Sequence, residues 1–252
     1  MIFKAVHSAD RQWRGVPAKA SCRFVPPFPR TPAADSCAAG QRVPAALDIR
    51  PMSGTPADRV LAAIDAANAK DPSTLRVGGE SLPAALVYGR RMSAALAAQV
   101  PDASEPLRIA ARAQHIERWL IARNTYPEGR IGYLTWRKDL QKHHARRTAA
   151  IMETAGYGAE AAARVGKLLR KEGLKQDTEV QALEDIVCLV FLEFEAPDFI
   201  AKHDDAKVRD ILAKTAKKMS PRGLAAASRL SLDPRLSRLL TEALSGHGKE
   251  NP

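Results

Sequence analysis

The stretch from Ala182 to Glu193 constrains the fold more than any other part of this chain. It reads Ala-Leu-Glu-Asp-Ile-Val-Cys-Leu-Val-Phe-Leu-Glu, and it follows Thr178-Glu-Val-Gln181, which is a capping-box pattern for a helix start. A helix that is apolar nearly all round is usually the buried centre of a bundle. The chain is therefore expected to surround this segment with other helices.

Capping residues and helical periods predict those other helices. Thr55-Pro56-Ala57-Asp58 combines a capping hydroxyl, a proline at the first helical position and an acid, which indicates a helix start. Further helices are predicted at about 82–100, 102–124, 135–154, 159–172, 206–219, 221–228 and 234–244. The segment 71–81 is predicted to be a loop, and no convincing strand pair is found. The predicted fold class is all-α, with a single multi-helix domain over residues 52–246.

The two ends of the chain differ from this domain. Residues 1–51 contain seven of the 17 prolines and have a net charge of +5, without a helical or strand period. This composition predicts a disordered leader. A transit peptide and translation starting at Met52 are the alternatives. Residues 247–252 are predicted to form a frayed tail.

Charge and composition restrict the partners. The net charge is +11 for the whole chain but +6 for residues 52–252, which favours an anionic small molecule or nucleotide and keeps RNA as an alternative. No apolar run reaches the ~20 residues that span a bilayer, so no membrane partner is expected. Three cysteines without a C-x-x-C pair indicate a reducing, cytoplasmic setting. The oligomeric state is not predicted.

One predicted helix face carries an unusual set of side chains. Arg108, Arg112, His115 and Trp119 share a face of the helix predicted from Asp102 to Asn124. Two interpretations are open. Either this face binds a phosphate or carboxylate with His115 as ligand or acid/base, or it is a solvated basic stripe whose histidine packs on Trp119.

The segment that follows interleaves arginines with aromatic residues. Such a pattern can bind a phosphate and stack a base, as in a nucleotide site or on an RNA strand. The alternative is a loop pinned by its aromatic side chains, with the arginines reaching water. The candidate binding residues are Arg112, Arg118, Arg123, Tyr126, Arg130, Trp136 and Arg137.

Two further positions are candidates for buried chemistry. His144 shares a face with Leu140, Thr148 and Ile151, so it is predicted to point inward. Glu184 and Asp185 lie one turn into the apolar helix, where an ionised carboxylate needs a cation, a metal or several donors. Only one of the two is expected to face inward, and the sequence does not decide which.

Three motifs carry a family resemblance. Ala111-Arg-Ala-Gln-His-Ile-Glu-Arg-Trp119, Tyr126-Pro-x-Gly-Arg-x-Gly-Tyr-Leu-x-Trp136 and Leu183-Glu-Asp-x-Val-Cys-Leu-Val-Phe-Leu-Glu193 resemble a family of bacterial and fungal proteins known as domain of unknown function 4202. The resemblance covers roughly residues 60–245. It implies no established activity.

A more distant resemblance is to the HD superfamily of metal-dependent phosphohydrolases, which are helical domains. It implies an HD-like bundle in which His115, His144 and Asp185 bind a divalent metal ion. The chain departs from the superfamily at Ala145, where a ligating Asp is expected after His144. This departure leaves at most three protein ligands for the metal unless Glu184 or His143 substitutes.

These features lead to two functional hypotheses. The first is metal-assisted hydrolysis of a phosphorylated, nucleotide-like small molecule, with His115, His144, Asp185 and Glu184 as catalytic residues and the arginines on the substrate phosphate. The second is a non-enzymatic module that binds RNA or another polyanion through the segment 118–137.

Overall fold

The protein is represented by a computed structural model that describes residues 54–245, so the predicted leader and tail lie outside the described residues. These residues form ten helices and one small hairpin. The helices are α1 Pro56–Asn68, α2 Ala84–Gln99, α3 Glu105–Arg112, α4 Gly129–Thr154, α5 Ala159–Arg170, α6 Thr178–Val190, α7 Ala196–Ile200, α8 Asp205–Ala216, α9 Pro221–Ala227 and α10 Pro234–Ser245. The strands are β1 Thr74–Val77 and β2 Glu80–Pro83. The prediction of an all-α fold is confirmed.

Helix α6 lies at the centre of the bundle. Every residue from Leu183 to Val190 is buried, and the helix packs against α2, α3, α5 and α9. A turn of π-helix, Phe191–Glu195, continues it into α7. The apolar stretch therefore forms the buried core that its sequence predicts. Its N-cap, however, is Asp177, whose carboxylate accepts hydrogen bonds from the backbone of Glu179 and Val180.

Helices α3 and α4 pack around the central part of the bundle. Helix α4 is the longest, and it packs along α5. Helix α3 is short, and its N-cap is Ser104, whose hydroxyl accepts a hydrogen bond from the Leu107 amide. Within residues 54–245, no helix combines the length and apolar character that crossing a bilayer requires.

The prediction of a plain loop over residues 71–81 was wrong. Strands β1 and β2 pair in antiparallel register, with Val77 opposite Glu80. Gly78 and Gly79 connect them with φ values of 57° and 91°. Two positive-φ residues form the tight turn that joins twisted strands, and glycine adopts this conformation without steric cost. A pair of glycines in a short polar segment was the signal for this hairpin.

Two helix boundaries also differ from the prediction. Helix α3 ends at Arg112 rather than near Asn124, and α4 begins at Gly129 rather than at Thr135. Short 3-10 turns at Arg118–Leu120 and Arg123–Thr125 lie between them. The single helix face proposed for Arg108, Arg112, His115 and Trp119 therefore does not exist. This break is what positions the candidate site.

Candidate functional site

The chain bends after α3, and the bend is fixed by tertiary contacts. Glu117 adopts a left-handed backbone conformation with φ of 48°. Its amide donates to the Asn68 side-chain oxygen at 3.1 Å, and its carboxylate accepts from Arg147 at 2.8 Å. Glu117 is thus held from two sides. Its neighbours His115 and Arg118 both line a cavity that lies next to α4.

Helix α4 supplies the opposite wall of this cavity. The indole N–H of Trp136 donates to the carbonyl of Ile121 at 2.9 Å, which ties the 3-10 segment to the helix. The guanidinium carbon of Arg118 lies 4.7 Å from the centroid of the Trp136 ring. Burial lowers the pKa of Arg118 to about 10, so its side chain stays charged at neutral pH.

We call the space enclosed by these elements the cationic cavity. Its lining side chains come from the bend after α3, from α4, from the end of α5 and from α6. They are Gln114, His115, Arg118, Trp136, Arg137, Leu140, Gln141, His144, Lys171 and Val187. Three of them are cationic and none of them is a carboxylate, so the cavity is suited to an anion.

The two histidines predicted as site residues come together here. The His115 and His144 ring centroids are 6.2 Å apart, and Tyr88 stacks on His115 at 3.7 Å. His144 is 3% exposed, which confirms that it points inward. Its Nε2 atom has no hydrogen-bond partner in the described structure. Burial, and then the positive charge of Arg118, lower the pKa of His144 well below its ordinary value, so the ring is neutral at physiological pH.

Glu184 is buried close to this cavity and is neutralised by lysines. It pairs with Lys171, and the Lys218 ammonium is 3.8 Å from its other oxygen. Burial acts to raise the pKa of Glu184, but the two lysines outweigh it and lower the pKa below its ordinary value. The carboxylate is therefore ionised and already paired within the protein.

The Asp185 carboxylate is hydrogen-bonded to residues on α6 and at the start of α9. Its carboxylate accepts hydrogen bonds from the backbone amide and the hydroxyl of Ser220 and from the Gln181 side chain. A Cβ atom on Gly223 would lie 2.6 Å from its carboxyl carbon, so α9 packs directly on it. Both Glu184 and Asp185 are buried, and the prediction that only one could face inward was wrong. Each has its own set of donors.

The residues present do not fit the predicted metal site of His115, His144 and Asp185. A divalent metal needs several converging His, Cys or carboxylate ligands. Residues 54–245 contain no group of three or more such side chains that could bind a metal ion. The Asp185 carboxylate already accepts hydrogen bonds from Ser220 and Gln181. The residue after His144 is a buried alanine, Ala145, which has no ligating group. His143, the other proposed substitute, is not among the residues lining the cavity.

Two of the predicted substrate-binding arginines have structural roles. Arg112 forms a two-pronged ion pair with Asp65, with nitrogen–oxygen distances of 2.7 and 2.8 Å. Arg123 donates to the carbonyls of Tyr126 and Pro127, both at 3.0 Å. These guanidinium groups fasten α3 to α1 and shape the loop before α4.

The remaining candidates divide between the cavity and the surface. The Tyr126 hydroxyl donates to Asp139 at 3.0 Å, and Arg130 is exposed. Neither residue lines the cationic cavity, whereas Arg118, Trp136 and Arg137 do. Tyr126 and Trp136 therefore anchor this segment through their hydrogen bonds, while Arg118 and Arg137 line the cavity.

The sequence analysis did not identify three polar lining residues, namely Gln114, Gln141 and Lys171, or the apolar Leu140 and Val187. The two glutamines lie one helical turn or less from His115 and Arg137, but a polar residue on a helix carries no signal of its own. Lys171 lies near the end of the helix predicted at about 159–172, and the sequence analysis assigned it no role. It is in fact the left-handed C-cap of α5, with φ of 58°.

Comparisons with known proteins place the chain in a family. No curated protein matches the sequence, and no solved structure matches it either. The HD-superfamily resemblance therefore stays a prediction. The model of a family described as a domain of unknown function, DUF4202, matches residues 58–240. This match covers most of the chain and nearly all of the described structure, so the protein belongs to the DUF4202 family.

Proposed function

We propose that this protein binds a small, nucleotide-like phosphorylated molecule by its phosphate group in the cationic cavity. The observation that carries the proposal is the lining: Arg118, Arg137 and Lys171 converge with two histidines, and no carboxylate lines the space. Hydrogen bonds between cationic donors and phosphate oxygens are about twice as strong as those between neutral groups. The unpartnered Nε2 of His144 adds a polar atom that a ligand would satisfy.

The size of the cavity limits which part of a ligand it accepts. Its volume is about 30 Å³. Pockets that enclose a whole drug-sized ligand measure ~300–1,000 Å³. The cavity is therefore far too small for a whole nucleotide, and only the phosphate end of the ligand would contact its lining while the remainder lies at the mouth.

The alternative, an RNA or polyanion module, is supported less well. Nucleic acid strands bind to exposed aromatic faces on which bases stack. Trp136 is 1% exposed and Tyr133 is 3% exposed, because both pack into a small cluster with Leu140. Arg123 is bonded to loop carbonyls. This segment therefore offers few of the groups that a single strand needs.

A binding titration tests the proposal. Inorganic phosphate, a nucleoside monophosphate and the corresponding nucleoside are titrated into the full-length protein by calorimetry. We expect both phosphates to bind and the nucleoside to bind at least about tenfold more weakly, which corresponds to 1.4 kcal/mol. We expect Arg118→Gln to weaken phosphate binding at least about tenfold as well. Arg130→Gln, a matched change outside the cavity, should leave it within about twofold. Equal affinity for the nucleoside would contradict the proposal.

Hydrolysis of the bound ester is a second candidate function, favoured by the neutral His144. Water would attack phosphorus, pass a proton to Nε2 of His144 and displace the alcohol, which takes its proton from solvent. Arg118 and Lys171 would stabilise the charge on the phosphoryl oxygens. Release of inorganic phosphate from a panel of monophosphates measures this step. His144→Gln should reduce the rate at least ~100-fold while phosphate still binds. An unchanged rate of phosphate release in this variant would rule out His144 as the general base.

A further inference from the structure

Lys171 has an unusual backbone and an unusual environment. It is the C-cap of α5 in a left-handed conformation, with φ of 58° and ψ of 37°. This conformation costs a residue with a side chain on the order of 1 kcal/mol, and glycine is the usual choice there. Its side chain is only 10% exposed and lines the cationic cavity. The fold thus places a buried ammonium at a position where backbone preference would select another residue.

The partner of Lys171 is the carboxylate that a metal site would need. Glu184 is 4% exposed, and Lys171 and Lys218 both approach it. The positive charge of Arg137 also lowers the pKa of Glu184. Carboxylate and imidazole are the ligands that divalent metals take in such sites. Here the Glu184 carboxylate is paired with protein cations instead.

We propose that the Lys171 ammonium supplies the positive charge that a divalent cation would supply in this cavity, so that phosphate binds without a metal ion. The inference rests on the proposed function and concerns the source of the positive charge. An ammonium is a compact point charge with three donors. It can bond Glu184 with one N–H and a phosphate oxygen with another. Arg118 and Arg137 supply further positive charge around the same space.

Titration of inorganic phosphate into the full-length protein tests the inference, first with EDTA and then with added Mn²⁺. We expect the wild-type Kd to agree within about twofold between the two conditions. Lys171→Met should weaken binding at least about tenfold in EDTA, and Lys171→Arg should recover most of it. Lys142→Met, which removes a lysine with a side chain 72% exposed, should leave binding unchanged and is the matched control.

Glu184→Gln keeps the test decisive if Lys171→Met fails to fold. Removing the carboxylate charge leaves Lys171 free for phosphate, so binding in EDTA should be equal or tighter. Loss of binding in this variant would overturn the inference. Binding of wild type that EDTA abolishes and Mn²⁺ restores would overturn it too, while the proposed function would stand. Absence of phosphate binding in both conditions would overturn both.

Discussion

His144 contributes a buried imidazole ring with an unpartnered nitrogen atom to the wall of the cavity. The residue is 3% exposed, and its Nε2 atom has no hydrogen-bond partner in the described structure. An unsatisfied polar atom costs ~1–3 kcal/mol when it is buried. The fold retains this cost at the wall of a cavity with three cationic side chains, which is what we expect of a group that a ligand satisfies.

The neutral state of His144 gives a pH-dependent prediction. Its pKa is lowered in the folded protein, mainly by burial, so protonation favours the unfolded chain. Its contribution to stability is complete above the unfolded pKa of about 6.5 and is lost as the pH falls below that value. Between pH 7.5 and 5.5, protonation of this one imidazole in the unfolded chain makes the loss at most about 1.4 kcal/mol.

Urea unfolding of wild type and His144→Gln at both pH values measures this loss. The wild type should lose more free energy of unfolding than the variant between pH 7.5 and 5.5, by up to about 1.4 kcal/mol. Burial raises the pKa of Glu195 to about 7, which acts in the opposite direction but equally in both proteins. His143, whose pKa is lowered mainly by burial, is likewise common to both. A difference near zero would show that His144 is protonated as easily in the folded state as in the unfolded state.

At the residue scale, the sequence predicts whether a side chain points into the core but not which group it pairs with. The spacing of Leu140, His144, Thr148 and Ile151 was enough to place His144 on the buried face. The pairing of Lys171 with Glu184 was not predictable, because it joins the end of one helix to the middle of another. The backbone conformation that brings Lys171 inward also has no signature at a non-glycine residue.

At the scale of elements, the site depends on where helices stop. The sequence from Leu107 to Tyr126 contains no glycine or proline, so the period alone predicts a continuous helix. The helix ends at Arg112, and contacts from Asn68 and Arg147 fix Glu117 in a left-handed conformation that a continuous helix would not allow. Contacts between distant segments override local propensity here. His115 and Arg118 therefore line the cavity although the helix predicted to carry them ends before either residue.

Asp185 makes a prediction about the start of α9. Its carboxylate accepts from the Ser220 amide and hydroxyl, and the same hydroxyl accepts from the Gly223 amide. Asp185→Asn weakens charge-assisted hydrogen bonds, so we expect the free energy of unfolding to fall by ~1–3 kcal/mol. Phosphate affinity should stay within about twofold, because Asp185 does not line the cationic cavity.

Chemical unfolding and phosphate titration of the same Asp185→Asn sample separate the two roles. Asp198→Asn, which changes an exposed carboxylate in the first turn of α7, is the control and should lower the free energy of unfolding by less than about 1 kcal/mol without changing phosphate affinity. A metal ligand would behave in the opposite way, because its loss would remove ligand binding and spare stability. That result would restore the metal site of His115, His144 and Asp185.

At the scale of the whole molecule, nearly half of the net charge lies outside the part of the chain that contains the site. Residues 1–51 have a net charge of +5 out of the total of +11. The cationic cavity lies entirely within residues 54–245, and the family match covers residues 58–240. General attraction to polyanions and specific binding of a phosphate group should therefore be separable by truncation.

A protein of residues 54–245 tests this separation. We expect it to unfold cooperatively and to bind inorganic phosphate with a Kd within about twofold of the full-length value, since α1–α10 and every lining residue are retained. It should elute from heparin at a lower salt concentration than the full chain, because fewer cations release counterions on binding. Unchanged heparin elution would place the polyanion surface on the helical domain and would revive the RNA-binding alternative. Loss of phosphate binding in a folded truncated protein would show that residues outside 54–245 complete the site.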